Sequence, residues 1–314
     1  MSENILEIKD LSMGFILENN DFKDEYYSAL SNINLSFQKA QIHCIAGESG
    51  CGKSVLINTI LNLLPKNALI KSGEILYENQ NLLALNDKDY KKIRGRKISL
   101  IPQDPFMSLN PLYTIENQLL EVNNDNDINK IKQALEMVKI KNIESVLKSY
   151  PHELSGGMKQ RIIIAMSLIS NSQIILADEP TTALDVSVSN TILNILTDLK
   201  NIGKTIILIT HDLSIVSNYS DTTTIMYLGE IVEKGQTKEL FKNPKHPYTN
   251  ALLRALPIDK NKKLENIKGQ ISPITQRIDG CKFHPRCNCV MEKCKTIKPC
   301  LKDCDGVMVA CHLY

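Results

Sequence analysis

The 314-residue chain has almost no excess of either charge. Its 37 Lys and Arg stand against 35 Asp and Glu, a formal net charge of +2, and no tract of five or more like charges occurs. Nothing therefore points to a nucleic-acid partner. Long apolar runs are also missing. The densest one, residues 162–169, is far short of the roughly 20 residues that cross a bilayer. The opening Met1-Ser2-Glu3-Asn4 has neither the basic nor the apolar region of a secretory signal. No internal repeat is visible. These absences leave a chain expected in the cytosol, with any membrane role peripheral.

What is present is ordinary in bulk and uneven in detail. A hydrophobic fraction of 43% and a charged fraction of 23% suit a globular protein with a sizeable core. The length suits one large domain with an extension. Cysteine is sparse until the C-terminus, where seven of the nine fall between Cys281 and Cys311. Where thiols stay reduced, such a cluster favours metal binding or catalysis over disulfides.

Short β-rich runs alternate with helical stretches, the pattern of a sheet covered by helices. Residues 33–37 alternate strictly, as a half-buried antiparallel strand does. Residues 42–46, 98–101, 174–177 and 205–209 read as buried strands. Residues 53–64 have helical spacing and stop at Pro65. Between 104 and 170 no comparable strand appears, and 131–139 and 159–170 look helical, so a helical subdomain is expected to interrupt the sheet there. After Pro257 the composition shifts to lysine-rich 260–263, then Ser272-Pro273, then the cysteines. This divides the chain into 1–257 and an extension, 258–314.

Gly47-Glu48-Ser49-Gly50-Cys51-Gly52-Lys53-Ser54 fits G-x-x-x-x-G-K-[ST] between a strand and a helix. Glycines at such places let backbone N–H groups turn inward around phosphate oxygens, and the helix N-terminus adds positive potential. Lys53 would reach the β- and γ-phosphates, and the Ser54 hydroxyl would coordinate Mg²⁺. Cys51 reads as a small residue whose backbone matters, not as a thiol switch. Further along, Ile174-Ile175-Leu176-Ala177-Asp178-Glu179 is an apolar strand ending in two carboxylates. Asp178 suits the Mg²⁺ shell, and Glu179 suits a general base acting on the attacking water.

Between these elements lies Leu154-Ser155-Gly156-Gly157-Met158. In this order the three motifs resemble the ATP-binding subunits of ABC transporters. The resemblance implies an α/β, P-loop NTPase fold of the ABC ATPase type: a RecA-like core with an antiparallel β-subdomain, the helical subdomain of about 104–170, and here a small cysteine-rich C-terminal extension. It implies that Ser155, Gly156 and Gly157 cap the γ-phosphate of ATP held by a partner subunit's phosphate loop. Gln103 would contact metal or water and sense the transmembrane subunit, Asp185 would couple the two sites, and His211 would touch the γ-phosphate. An aromatic residue upstream of the loop would stack on adenine. Phe15 is preferred over Tyr26 and Tyr27, although residues 16–28 look like an acidic insertion in the hairpin.

Met158 stands where glutamine is usual in the family. With Tyr150-Pro151-His152, Gln103-Asp104-Pro105 through Ser108-Leu109-Asn110-Pro111, and His246-Pro247-Tyr248-Thr249, the chain resembles the ATPase subunits of dipeptide and oligopeptide importers. Nickel and metal-chelate importers share these sequences, so that cargo is the alternative. A soluble ABC ATPase outside transport is a more distant one. The resemblance implies ATP hydrolysis driving peptide uptake at the cytoplasmic face of a bacterial membrane. The implied partners are a second ABC ATPase in a heterodimer, two permease subunits and, indirectly, a solute-binding protein.

Cys281, Cys287, Cys294 and Cys311 follow C-x5-C-x6-C-x16-C, with no C-x2-C pair. From spacing alone the choice between iron–sulfur, zinc and unligated thiols is open. With Phe283-His284-Pro285-Arg286 before Cys287, the tail resembles the segment that holds a [4Fe–4S] cluster in one of the two importer ATPases. Zn²⁺ is the chemical alternative, and Cys289, Cys300 and Cys304 are spare.

Overall fold

The computed structural model describes residues 4–18, 23–123, 125, 127–182, 184–256, 267 and 269–314. Pro257 and the lysine-rich 260–263, where the change in composition sets a boundary, lie outside them. The chain divides into two compact units: residues 1–38, 43–84 and 210–314 form one, and 39–42 with 85–209 the other.

In the first unit the strands Asn4–Glu18 and Asp24–Gln38 pair antiparallel, and Ala68–Tyr77 flanks the first of them. The strand expected at 33–37 is thus only the end of a long arm. Residues 16–18 and 24–28, expected to be an insertion, continue the ladder, with Glu18 opposite Asp24. None of these side chains is buried, so no alternation of core and surface marks them as strand. Part of a second sheet runs Ile42–Ala46, Thr222–Tyr227, Glu230–Gln236, Val307–Val309 and Lys302–Cys304. Only the first of these pairs is parallel. The last two strands belong to the cysteine-rich tail, so the tail continues this sheet.

A core of Cys44, Ala46, Ile225, Tyr227, Val232 and Tyr248 also takes in Phe283 from the tail. The Phe283 ring meets Tyr227 edge-on at 5.2 Å and Tyr248 at 5.2 Å. Burying a side chain of this size contributes about 1.5–3 kcal/mol, so Phe283 is an anchor for the tail.

In the second unit Ile98–Ile101, Ile174–Asp178 and Thr205–Thr210 form a parallel ladder, as their unbroken apolar runs suggest. No strand lies among the described residues between 104 and 170, and helices fill the span. The helix expected at 131–139 is Ile128–Met137, and that expected at 159–170 is Gly156–Ile169. The second starts three residues early because Ser155 caps it; the two glycines that follow are poor helix formers and conceal that start in the sequence.

Candidate nucleotide site

The phosphate loop follows the fully buried strand Ile42–Ala46 and ends at the helix Lys53–Ile60. Gly47 sits at φ 154° and Gly52 at φ 105°, conformations that L side chains rarely adopt. A Cβ on Gly47 would lie 2.3 Å from the Met226 carbonyl oxygen. The loop therefore needs glycine there for space as well as for torsion.

Lys53 is buried at 5% exposure. Its Nζ donates to the carbonyls of Gly47 at 2.7 Å and Glu48 at 2.9 Å, closing the loop on itself. Ser49, Gly50 and Ser54 are exposed along its open side. Cys51 is buried, and burial raises its thiol pKa despite the nearby Lys53. Its backbone N–H donates to the Glu48 carbonyl at 3.3 Å, and its carbonyl accepts from the Gly229 N–H at 2.8 Å. The side chain is an inert filler.

Two residues that motif reading passed over hold this loop from outside. The Glu48 N–H donates to the Tyr248 hydroxyl at 2.9 Å. Arg286 from the tail grips the Glu48 carboxylate with both terminal nitrogens, at 2.7 and 3.0 Å. The signals were the stretches His246-Pro247-Tyr248-Thr249 and His284-Pro285-Arg286, noted only as family marks. Phe15 lies opposite Tyr27 in the hairpin, half-buried, and Tyr26 lies next to it under the Lys71 ammonium at 3.4 Å. His211 is exposed just past the strand Thr205–Thr210.

In the second unit Asp178 ends its strand and Glu179 takes φ 46°, an uncommon conformation for glutamate. The Glu179 N–H donates to the Ile209 carbonyl at 2.9 Å, which fixes the bend. Its Oε2 accepts from Gln103 Nε2 at 3.3 Å and from the Thr182 hydroxyl at 3.0 Å. The structure thus brings Gln103 and Glu179 together.

Ser155 caps Gly156–Ile169, its hydroxyl accepting the Met158 N–H at 3.3 Å. A Cβ on Gly157 would lie 2.4 Å from Val188 Cγ1, and one on Gly156 would lie 3.3 Å from the Phe106 ring. The glycines let the helix start seat against the helix Val186–Asn201 and the loop after Gln103. Asp185 caps Val186–Asn201, accepting the Val188 N–H at 2.9 Å.

Among the described residues no group of three or more His, Cys, Asp or Glu is placed to hold a metal ion, so Cys281, Cys287, Cys294 and Cys311 form no ligand shell. They are nonetheless neighbours. Burial raises the Cys281 thiol to about 11, and Cys294, Cys311 and Cys287 add to the rise. Cys287 Sγ accepts the Cys289 N–H at 3.3 Å.

Comparison with known proteins places these elements. The family model described as ABC transporter matches residues 30–182, and the one described as oligopeptide/dipeptide transporter, C-terminal region, matches 232–294. The oligopeptide transport ATP-binding protein AppD of Bacillus subtilis is 38% identical, covering 99% of this chain and 97% of the relative. The dipeptide transport ATP-binding protein DppD of Haemophilus influenzae is 37% identical over 98% of this chain and 95% of its own. Among solved structures, the dimeric post-hydrolysis state of the ATP-binding cassette MJ0796 with ADP and Pi aligns at TM-score 0.64 and 28% identity. That alignment covers 74% of this chain and 98% of MJ0796. With the glycine-built phosphate loop and the acidic strand end in place, the chain belongs to the ABC transporter ATP-binding family.

Proposed function

We propose that the chain is the ATP-hydrolysing subunit of a peptide importer. The observation that carries this reading is similarity to peptide-transport ATP-binding proteins over 98–99% of the chain. The transporter C-terminal region at 232–294 supports it further. No described helix is long and apolar enough to cross a membrane, so passage of cargo needs separate membrane-spanning subunits. Those subunits, a second ATPase of the same kind and attachment at the cytoplasmic face complete the proposed complex.

ATP is the substrate of the loop 47–54. The N–H groups of Ser49, Gly50 and Gly52 turn to its phosphates, the Cys51 N–H exchanges the Glu48 carbonyl and Lys53 the Gly47 and Glu48 carbonyls for phosphate oxygens, and Phe15 stacks on adenine. Ser54, Gln103 and Asp178 offer a hydroxyl, an amide and a carboxylate, the hard oxygen donors that Mg²⁺ prefers. Held by these residues, the ion would supply Lewis-acid stabilisation of phosphate charge. Glu179 takes the proton of the attacking water, Gln103 orients that water, and His211 donates to the γ-phosphate.

Ser155, Gly156 and Gly157 close on ATP held by the partner subunit. A hydroxyl can accept the Met158 N–H and still donate to phosphate. Asp185, holding its helix start beside this element, links the two sites. The α/β P-loop ATPase core is taken to span 1–257, with 258–314 as its extension. Replacing Ser155 with Arg is expected to abolish turnover at the partner's site. Loss confined to the site holding Lys53 contradicts the two-subunit arrangement.

For the tail, four neighbouring thiols are the donor chemistry of a [4Fe–4S] cluster, held by Cys281, Cys287, Cys294 and Cys311 once deprotonated and drawn together. The cluster would serve as a clasp on a segment with little apolar content. An absorbance band near 400 nm in anaerobically purified protein, bleached by dithionite, is the expected result. Stoichiometric zinc without iron overturns it. Uptake of tripeptides by the whole complex tests the cargo, and uptake of nickel instead contradicts it.

A further inference from the structure

We infer that Arg286 is a positioning residue for the phosphate loop, neutralising Glu48 so that the loop accepts a polyphosphate. The inference rests on the assignment of residues 47–54 to ATP. Glu48 is the second residue of that loop, 238 positions from Arg286 in sequence. The pair is bidentate, with Nη1 to Oε2 at 2.7 Å and Nη2 to Oε1 at 3.0 Å. The Arg286 side chain is 6% exposed and that of Glu48 28%. Nη1 also donates to the Tyr227 hydroxyl and Nη2 to the Gly269 carbonyl, both at 3.3 Å. The fork is thus fixed from several sides before Glu48 meets it.

Two consequences follow from this geometry. Glu48 is held at three points: its N–H by Tyr248, its carbonyl by Lys53 and its carboxylate by Arg286. A carboxylate in this loop would also repel the several negative charges of ATP if it were not paired. A half-buried charge stripped of its partner costs far more than an exposed one, and the repulsion acts over the few ångströms between this loop and its ligand. Phe283, three residues before Arg286 and buried in the core, keeps the guanidinium in place. The tail thereby contributes to nucleotide affinity without touching nucleotide.

The experiment is ATP binding by the purified full-length chain, measured with ATP·Mg²⁺ for Arg286→Met, Arg286→Lys and the double variant Arg286→Met/Glu48→Gln. Lys53→Ala is the control for the site itself. Arg286→Met is expected to raise Kd about 10-fold, and Arg286→Lys less. Removing the stranded charge in the double variant is expected to bring Kd back to within about threefold of wild type. The Arg286→Met defect is also expected to shrink in high salt, which a packing defect would not do. A double variant no better than Arg286→Met overturns the inference, as does an Arg286→Met Kd equal to wild type. If Lys53→Ala leaves ATP affinity unchanged, it is the loop assignment that falls. Should Arg286→Met not fold, Arg286→Lys with and without Glu48→Gln gives the same test.

Discussion

At Gly52 the chain enters the helix Lys53–Ile60 through a left-handed residue with no side-chain cap, whereas at Ser155 it enters Gly156–Ile169 through an extended residue whose own hydroxyl caps the helix. The first start leaves its N–H groups to a ligand and is held from outside, by Tyr248 and Arg286 acting on Glu48. The second is held from within, by Ser155 and by glycines pressed against Val188 and Phe106. Both present a helix N-terminus, whose geometry favours anions. In the proposed function this difference makes one start the place that keeps phosphates, and the other a finished surface offered to phosphates held elsewhere.

The largest effect that would break this comparison comes from Lys53→Ala. Without the ammonium, ATP affinity is expected to fall about 100-fold by equilibrium binding. Retained affinity would mean that the uncapped helix start is not the primary site.

Gly157→Ala sharpens the other side. In an ordinary helix interior alanine gains up to about 1 kcal/mol over glycine. Here the new methyl meets Val188 Cγ1 at 2.4 Å, and overpacking of this kind costs about 1–3 kcal/mol. Denaturant unfolding is expected to show net destabilisation, and a gain in stability would show that the second start is not tightly seated.

A smaller effect concerns the supports of the first start. His246 is 1% exposed and its Nδ1 accepts the Tyr248 N–H at 3.0 Å. Burial lowers its pKa from 6.5 to about 4. The unfolded chain then binds the proton more readily, so this contribution to stability is complete above about pH 6.5 and is lost as pH falls toward about 4. Over that window up to about 3 kcal/mol is at stake. His246→Asn keeps a capping oxygen but cannot titrate, and it is expected to flatten this part of the stability profile. An unchanged profile would place the pH dependence elsewhere.

Much of the first start was legible in the sequence, because glycine spacing, a buried strand and a following helix are local properties. The apolar strands 42–46, 98–101, 174–177 and 205–209 were legible for the same reason: a run buried on both faces cannot be mistaken for an amphipathic one. Its supports were not. Arg286 and Glu48 are 238 residues apart, and no periodicity reports a pairing at that distance. The strands Lys302–Cys304 and Val307–Val309 were missed because three residues carry no alternation, and cysteines there invite a metal reading. The outer arms of the hairpin were missed because Glu25, Tyr26 and Tyr27 look like loop composition. Glu179 was named from its place after the strand, but its left-handed φ and its contact with Gln103 are visible only in three dimensions.

The most direct measurement is single-site ATP turnover alongside ATP binding in Glu179→Gln. Loss of turnover by about 100-fold or more with ATP affinity kept is expected, since general-base assistance contributes about 10²–10⁴. Turnover equal to wild type would contradict the assignment of hydrolysis to the acidic strand end, and with it the division between a start that holds ATP and elements that act on it.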